Sequence, residues 1–255
     1  MSSESTPNKP QLILLPGMDG TGDLFEPLVR VIGTNLETSI ISYPLDEALG
    51  YQQLLNLVTS RIPKGKPYFL LGESFSGPLA VMAAQKFPEN LLGVILVATF
   101  VTSPMPRWLG RLKRFSGGPI LDLRPRPFII DRLLGKDCPE KTKRWVHETL
   151  PRLKRDVLAA RIEAVLEVNV REELKSCQIP VLYIAGSRDW LMGKKCLDAV
   201  WLCRPDVEIK VLDACHMVLQ TRPDDSAKAI IDFCSRVIGS PKSNVQCPKG
   251  KGRDS

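Results

Sequence analysis

The sequence predicts an α/β fold, with a mostly parallel sheet of about six strands covered by helices and one inserted helical segment. Two observations lead to this prediction. Short apolar runs, typical of buried strands, alternate along the chain with stretches whose apolar residues recur at helical spacing. The alternation stops once, at a basic, proline-rich stretch, and then resumes. Alternating strands and helices favour a parallel sheet that is buried on both faces.

The elements follow from these patterns in chain order. Strands are predicted at 11–15, 39–43, 68–71, 92–100, 179–185 and 207–212, and helices at 24–32, 51–62, 78–84, 156–168, 194–202 and 227–238. One domain is expected to span 11–239, including a helical cap inserted at 105–176. The polar ends, 1–10 and 240–255, have few apolar side chains and are expected to be disordered tails.

The bulk composition is typical of a water-soluble globular protein. The chain has 255 residues, of which 44% are hydrophobic and 25% charged, and it has no apolar run of membrane-spanning length. The polar N-terminus has no apolar signal core, which predicts a cytoplasmic protein without a transmembrane segment. The seven cysteines form no C-x-x-C pair, so reduced thiols are expected rather than a metal site or a disulfide framework.

The positive charge of the chain is concentrated in the inserted segment (105–176). This segment has 17 Lys and Arg against 10 Asp and Glu, an excess equal to the net charge of +7 of the whole chain. Aromatic residues are few and no nucleic-acid-binding motif is present, so nucleic acid is not expected as a partner. The basic segment is instead expected to favour anionic substrates or surfaces; the alternative is an ordinary solvated helical face.

Ser74 is the candidate nucleophile because of the turn in which it lies. An apolar strand, a tight turn and a helix with proline in its first turn follow one another over residues 68–84. The pattern G-x-S-x-G is met at Gly72 and Ser74, but Ser76 stands where the second glycine is usual and Gly77 comes one place later. Small neighbours are needed because such a serine sits at a strained backbone angle.

A serine hydroxyl needs an adjacent base, and the chain has only two histidines. His216, in the loop after the last strand, is the predicted base that takes the proton of Ser74, whereas His147 is expected on a helix surface in the inserted segment. Asp189, in the loop after the fifth strand, is expected to orient the imidazole; the alternative is that it caps the next helix. Asp213 is the rival acid, but it is too close to His216 in sequence to reach it easily.

Two backbone N–H groups are expected to form an oxyanion hole. One belongs to Phe75, directly after the nucleophile, and the other to Met18, in the glycine-rich loop (16–22) after the first strand. This loop could instead be a phosphate cradle, although it lacks the P-loop lysine and the full dinucleotide spacing. Glu73 is expected to be a neighbour of the site with no catalytic step, and Cys215 a buried thiol.

These residues and their order resemble the α/β-hydrolase superfamily. The matching stretches are LLPGMDGTG (14–22), LLGESFSGP (70–78), IAGSRD (184–189) and ACHMVLQTRP (214–223), which look closest to small single-domain esterase- and lipase-like hydrolases. The likeness covers most of the chain apart from the inserted segment and both tails. The sequence departs from the family at Pro16-Gly17, where His-Gly is usual, and in lacking the early antiparallel strands of larger members.

The resemblance implies a serine hydrolase that cleaves small carboxylic esters through an acyl-enzyme, without a cofactor, and whose cap covers the acyl pocket. Serine at the nucleophile position argues against epoxide hydrolases and haloalkane dehalogenases, whose relatives use Asp there. A thioesterase or acyltransferase acting on carrier-bound acyl chains is an alternative, because these enzymes share the acyl-enzyme. A non-catalytic binding protein of the same fold is a second alternative.

Overall fold

Six parallel strands form the centre of the molecule in the computed structural model, which describes residues 10–105, 127–136 and 138–240. The strands are β1 (Gln11–Leu15), β2 (Glu37–Ile40), β3 (Tyr68–Glu73), β4 (Leu91–Val97), β5 (Val181–Gly186) and β6 (Glu208–Leu212). They lie in the order β2-β1-β3-β4-β5-β6, and every neighbouring pair is parallel. The predicted α/β fold class is therefore confirmed.

Helices connect the strands along the described part of the chain. They are α1 (Glu26–Ile32), α2 (Tyr51–Arg61), α3 (Gly77–Lys86), α4 (Pro127–Leu134), α5 (Glu140–Thr149), α6 (Arg155–Glu167), α7 (Arg171–Ser176), α8 (Gly193–Cys203), α9 (Val218–Thr221) and α10 (Pro223–Gly239). Not one of them is long and apolar enough to cross a bilayer.

Helices cover both faces of the sheet. Buried side chains of α2, α3, α7 and α8 pack on one face, and those of α1 and α10 pack on the other. The central strands β1 and β3 are buried along their whole length, as expected for parallel strands between two helical layers. Each fully buried leucine or isoleucine contributes about 1.5–3 kcal/mol through the hydrophobic effect, so this core holds the strand ends in place.

Of the six strands that the structure describes, only β1 has both of its predicted ends, and β2 and β4 differ most, each ending three residues earlier than predicted. β2 begins at Glu37, and its ladder stops at Ile40 because Tyr43 leaves the sheet and donates its backbone N–H to the carbonyl of Gly20, at 2.7 Å. β4 stops at Val97, three residues before the predicted end, because Ala98 has a φ of 44° and turns the chain away. Both departures bring the chain toward the loops at the carboxyl edge of the sheet.

Among the described residues between β4 and β5, where the cap was predicted, are the helices α4 to α7. Residues 106–126 and 137 of the predicted cap lie outside the described residues, and the boundaries of the cap stay a prediction. The predicted tails also lie outside the described residues, apart from Pro10 and Ser240.

The strand order changes direction next to β1. β2 lies on one side of β1, and β3 and the later strands lie on the other side. In open parallel sheets such a point leaves a crevice beyond the carboxyl ends of the two strands, where ligands bind. Leu15 pairs with Gly72, so the loops that follow β1 and β3 leave the sheet side by side. These two loops contain Met18 and Ser74.

Candidate active site

Ser74 occupies a sharp turn between β3 and α3. Its φ is 49°, in the left-handed region that non-glycine residues rarely adopt, and a short 3₁₀ turn (Ser74–Ser76) follows it. The turn is tight on both sides. A Cβ on Gly72 would come within 2.5 Å of the carbonyl oxygen of Ser76, and a Cβ on Gly77 would overlap the side chain of Thr99. The glycines therefore allow the backbone to fold closely enough to expose the serine hydroxyl.

Three of the predicted site residues form one chain of hydrogen bonds. Ser74 Oγ lies 2.9 Å from His216 Nε2, and His216 Nδ1 lies 2.9 Å from Asp189 Oδ2. Both His216 and Asp189 are buried. The ionised Asp189 can only accept, so Nδ1 donates to it and Nε2 is left to accept the proton of Ser74. This arrangement can activate a hydroxyl, although the catalytic roles themselves stay predictions.

Asp189 also binds the turn that leads into α8. Its Oδ1 accepts the backbone N–H groups of Leu191 and Met192, at 2.9 and 3.0 Å. Burial raises the pKa of Asp189, but the hydrogen bond and charge of His216 and these two N–H groups outweigh it and hold the pKa below its ordinary value. The carboxylate is therefore ionised and fixed by donors on both oxygens. Of the two interpretations weighed from sequence, Oδ2 has the position of a partner of the imidazole, whereas Oδ1 binds two N–H groups that precede α8, whose N-cap residue is Met192 and not Asp189.

The glycine-rich loop reaches the serine from the neighbouring strand. A Cβ on Gly17 would lie 3.9 Å from the Cβ of Ser74, so the loop passes beside the nucleophile directly before Met18. On the other side, Phe75 is fixed by Tyr51, whose hydroxyl donates to the Phe75 carbonyl at 2.7 Å and whose ring stacks on the Phe75 ring. The oxyanion role of the N–H groups of Met18 and Phe75 stays a prediction.

The rival residues have other partners. His147 lies in α5, where its Nε2 is 2.7 Å from Oδ1 of the exposed Asp131. Asp213 is exposed and accepts from Arg188 Nε at 2.8 Å. Cys215 is buried, and its Sγ donates to the carbonyl of Leu134, which ties α4 to the loop of His216.

Glu73 was expected from sequence to be a packing or hydrogen-bonding neighbour of the site, but the partner of its hydrogen bond was not predicted. Oε1 of this buried carboxyl accepts from Nε2 of Gln220 at 2.9 Å. Burial raises the pKa of Glu73 to about 7, while the bond from Gln220 lowers it. The two residues are 147 positions apart, and no local pattern links them.

Arg161 was also missed, although the sequence contains a signal for it. An apolar stripe was predicted on α6, but its buried residues are Val157, Leu158, Arg161 and Val165. Arg161 is three residues after Leu158 and four before Val165, so a charge lies on the buried face. Its guanidinium donates to the carbonyls of Met18 and Pro44, at 2.6 and 2.9 Å.

In the part of the chain that the structure describes, no three or more His, Cys, Asp and Glu side chains are grouped so that they could hold a metal ion. The six cysteines that the structure describes form no disulfide. Cys247 lies outside the described residues.

Comparisons with known proteins relate the chain to several hydrolases and to one synthase. The sequence matches no family model. Phytyl ester synthase 1, chloroplastic, of Arabidopsis thaliana is 29% identical over 141 residues, which are 49% of this chain and 19% of that protein, so the match spans about a fifth of the relative's length. Monoacylglycerol lipase ABHD6 of Rattus norvegicus is 20% identical over 90% of this chain and 77% of its own.

A solved structure shows how far this likeness extends in space. A hydrolase from Pseudomonas aeruginosa superposes with a TM-score of 0.74 at 16% identity, over 91% of this chain and 92% of that one. The likeness covers the six-stranded parallel sheet and the helices on both of its faces. The chain therefore has the α/β-hydrolase fold.

Proposed function

We propose that the protein is a serine hydrolase that cleaves carboxylic esters through an acyl-enzyme. The observation that carries the proposal is the unbroken chain of hydrogen bonds from Ser74 Oγ through His216 to Asp189, with 2.9 Å at each step. A strained serine next to a buried, correctly oriented imidazole has the geometry that nucleophilic catalysis requires.

The residues would act in a fixed order. Ser74 Oγ attacks the ester carbonyl carbon while His216 Nε2 takes its proton, and the carbonyl oxygen becomes an oxyanion bound by the N–H groups of Met18 and Phe75. The imidazolium then gives the proton to the leaving alkoxide, which departs as an alcohol. Water repeats the sequence on the acyl-enzyme and releases the carboxylic acid, and Asp189 stabilises the imidazolium at each stage.

The comparisons support an ester or lipid substrate class. One relative is named as a monoacylglycerol lipase and another as a phytyl ester synthase, and each name refers to an ester of a lipid-like group. We expect an ester with an apolar acyl chain as the substrate.

Loss of the nucleophile tests the proposal. Ser74→Ala should abolish turnover of p-nitrophenyl esters and labelling by a fluorophosphonate probe, while the thermal midpoint stays within a few degrees of the parent. Ser60→Ala, at an exposed position on α2, is the matched control and should keep full activity. A parent protein that neither turns over esters nor reacts with the probe would support the non-catalytic binding protein instead.

Acyl transfer to an alcohol is the second candidate, and the match to a protein named as a synthase favours it. The two functions share the acyl-enzyme and differ in the acceptor that attacks it. Turnover of a p-nitrophenyl ester in the presence of a long-chain alcohol would separate them, because a transferase forms the new ester and a hydrolase forms the free acid. A parallel assay with an acyl thioester tests the thioesterase alternative.

The effect of the basic inserted segment on substrate preference and the location of the protein are also proposals. Preference for an anionic substrate or surface predicts that salt lowers activity on a carboxylated ester more than on its neutral analogue. Equal salt dependence of the two would contradict it. A cytoplasmic location can be tested by fractionating cells that express the full chain.

A further inference from the structure

Arg161 is a buried cation held by backbone carbonyls. It belongs to α6 in the inserted segment, and its side chain is among the largest that are fully buried, with 1% exposed. Nη1 donates to the carbonyl of Met18 and Nη2 to the carbonyl of Pro44, whereas Nε is buried without a partner. Burying a charge costs several kcal/mol, and only part of that cost is offset here, by the two carbonyls and by the nearby charge of the buried Asp19. The bond to the Met18 carbonyl links this costly side chain to the loop beside Ser74.

The glycine-rich loop is shaped to receive this guanidinium. A Cβ on Gly20, where φ is 75°, would come within 2.8 Å of both terminal nitrogens of Arg161. The ring of Tyr43 lies 5.8 Å from the guanidinium carbon on another side, within the range of a cation–π contact. The loop and the side chain therefore fit each other closely, and the guanidinium has little freedom to move.

A second group holds the same loop from the other direction. Ser76, at the position where the motif usually has glycine, donates its hydroxyl to the carbonyl of Pro16 and lies 2.5 Å from the phenol oxygen of Tyr43. The Pro16 carbonyl belongs to the peptide unit that joins Pro16 to Gly17, and the Met18 carbonyl belongs to the unit that joins Met18 to the next residue. The one peptide unit between them joins Gly17 to Met18 and contains the Met18 N–H.

We propose that Arg161 is a positioning residue for the oxyanion hole. It holds the Met18 carbonyl while Ser76 holds the Pro16 carbonyl, and together they fix the direction of the Met18 N–H toward Ser74. This inference rests on the proposed function. It also means that the inserted segment contributes to the chemical step, because the hole keeps its geometry only while α6 is docked. A displaced donor loses most of its value, since errors of about 1 Å can cost about 100-fold in rate.

Two substitutions and a control test the proposal. Arg161→Met removes both hydrogen bonds, and Arg161→Lys keeps the charge but ends in one nitrogen, which does not reproduce the guanidinium fork. Arg155→Met removes an exposed arginine from the first turn of the same helix and is the charge-matched control. Saturation labelling with a fluorophosphonate counts the active sites in each preparation, so that kcat refers to folded, reactive enzyme.

The deciding measurements separate binding of the transition state from binding of the substrate. For Arg161→Met we expect kcat per labelled site to fall about 10- to 100-fold while KM stays within about threefold. The affinity for a trifluoromethyl ketone, which forms a tetrahedral oxyanion on Ser74, should fall by a similar factor. Arg161→Lys should lose about fivefold or more in both quantities, and Arg155→Met should match the parent.

Several outcomes would overturn the proposal. One is an Arg161→Met enzyme with parental kcat per site and parental affinity for the ketone. Another is a loss of kcat with no loss of affinity for the ketone, because the oxyanion is then still bound. If Arg161→Met does not fold, Arg161→Lys decides by the same two measurements. Failure of the proposed function looks different, since the parent itself would then show no turnover that depends on Ser74.

Discussion

Two buried carboxyl groups at the carboxyl edge of the sheet have opposite electrostatic behaviour. Asp189 is 8% exposed and accepts three N–H donors, two from the turn before α8 and one from His216. Glu73 is 6% exposed and accepts one amide N–H, from Gln220. The pKa of Asp189 lies below its ordinary value, whereas burial raises the pKa of Glu73 to about 7.

The difference teaches that burial alone does not decide the charge of a group at this edge. Donors to the charged form offset the cost of burial at Asp189, and too few are present at Glu73. The two groups also act oppositely on stability. The contribution of Asp189 is present above the ordinary carboxyl pKa and is lost as the pH falls through its lowered value. Glu73 favours the fold while it is protonated, and this contribution is lost as the pH rises from about 4.5 to about 7.

Asp189→Asn should have the largest effect, and it tests whether the ionised carboxylate of Asp189 is needed for activity. The amide nitrogen that replaces Oδ2 can donate to His216 but cannot accept from it, so the imidazole would adopt the wrong tautomer. We expect kcat/KM for a p-nitrophenyl ester to fall about 10³- to 10⁴-fold. The thermal midpoint provides the control for folding, and a folded variant with more than a tenth of the parental kcat/KM would contradict the assigned role.

Glu73→Gln should change stability more than activity. The amide keeps an oxygen that can accept from Gln220 and removes the ionisation that costs on the order of 3 kcal/mol above pH 7. Urea unfolding should therefore show a variant that is more stable than the parent at pH 8, with the difference shrinking as the pH falls toward 4.5. Glu89→Gln, at an exposed carboxyl, is the control and should show no such dependence. An equal gain in stability at all pH values would mean that the substitution acts through packing and not through the ionisation of Glu73.

Asp213→Asn should have the smallest effect. This exposed carboxylate pairs with Arg188 and Arg222, and exposed pairs contribute ~1 kcal/mol or less. We expect kcat/KM within about twofold of the parent, because the imidazole already has its acceptor in Asp189. A loss of activity comparable to that of Asp189→Asn would contradict the assignment of Asp189 as the partner of His216.

The sequence predicted the parts of the molecule that depend on local pattern. Six strands, the turn at Ser74 and the last helix, predicted at 227–238 and observed at Pro223–Gly239, follow from periodicity, glycine placement and small-residue spacing. Contacts across long separations could not be predicted this way. Arg161 and Met18 are 143 residues apart, and a charge on an apolar helical face does not indicate which loop it will bind. The end of β4 was missed because the turn at Ala98 has no glycine or proline to mark it.

The close approach of Gly77 to Thr99 has a practical consequence for anyone who diversifies this protein. Libraries built on the textual motif would protect residue 76 and randomise residue 77, whereas sterics demand the reverse. A side chain already fits at Ser76, where its hydroxyl binds the Pro16 carbonyl. Any Cβ at residue 77 would overlap the side chain of Thr99, which follows β4. Variants with such a side chain are expected to be lost during selection.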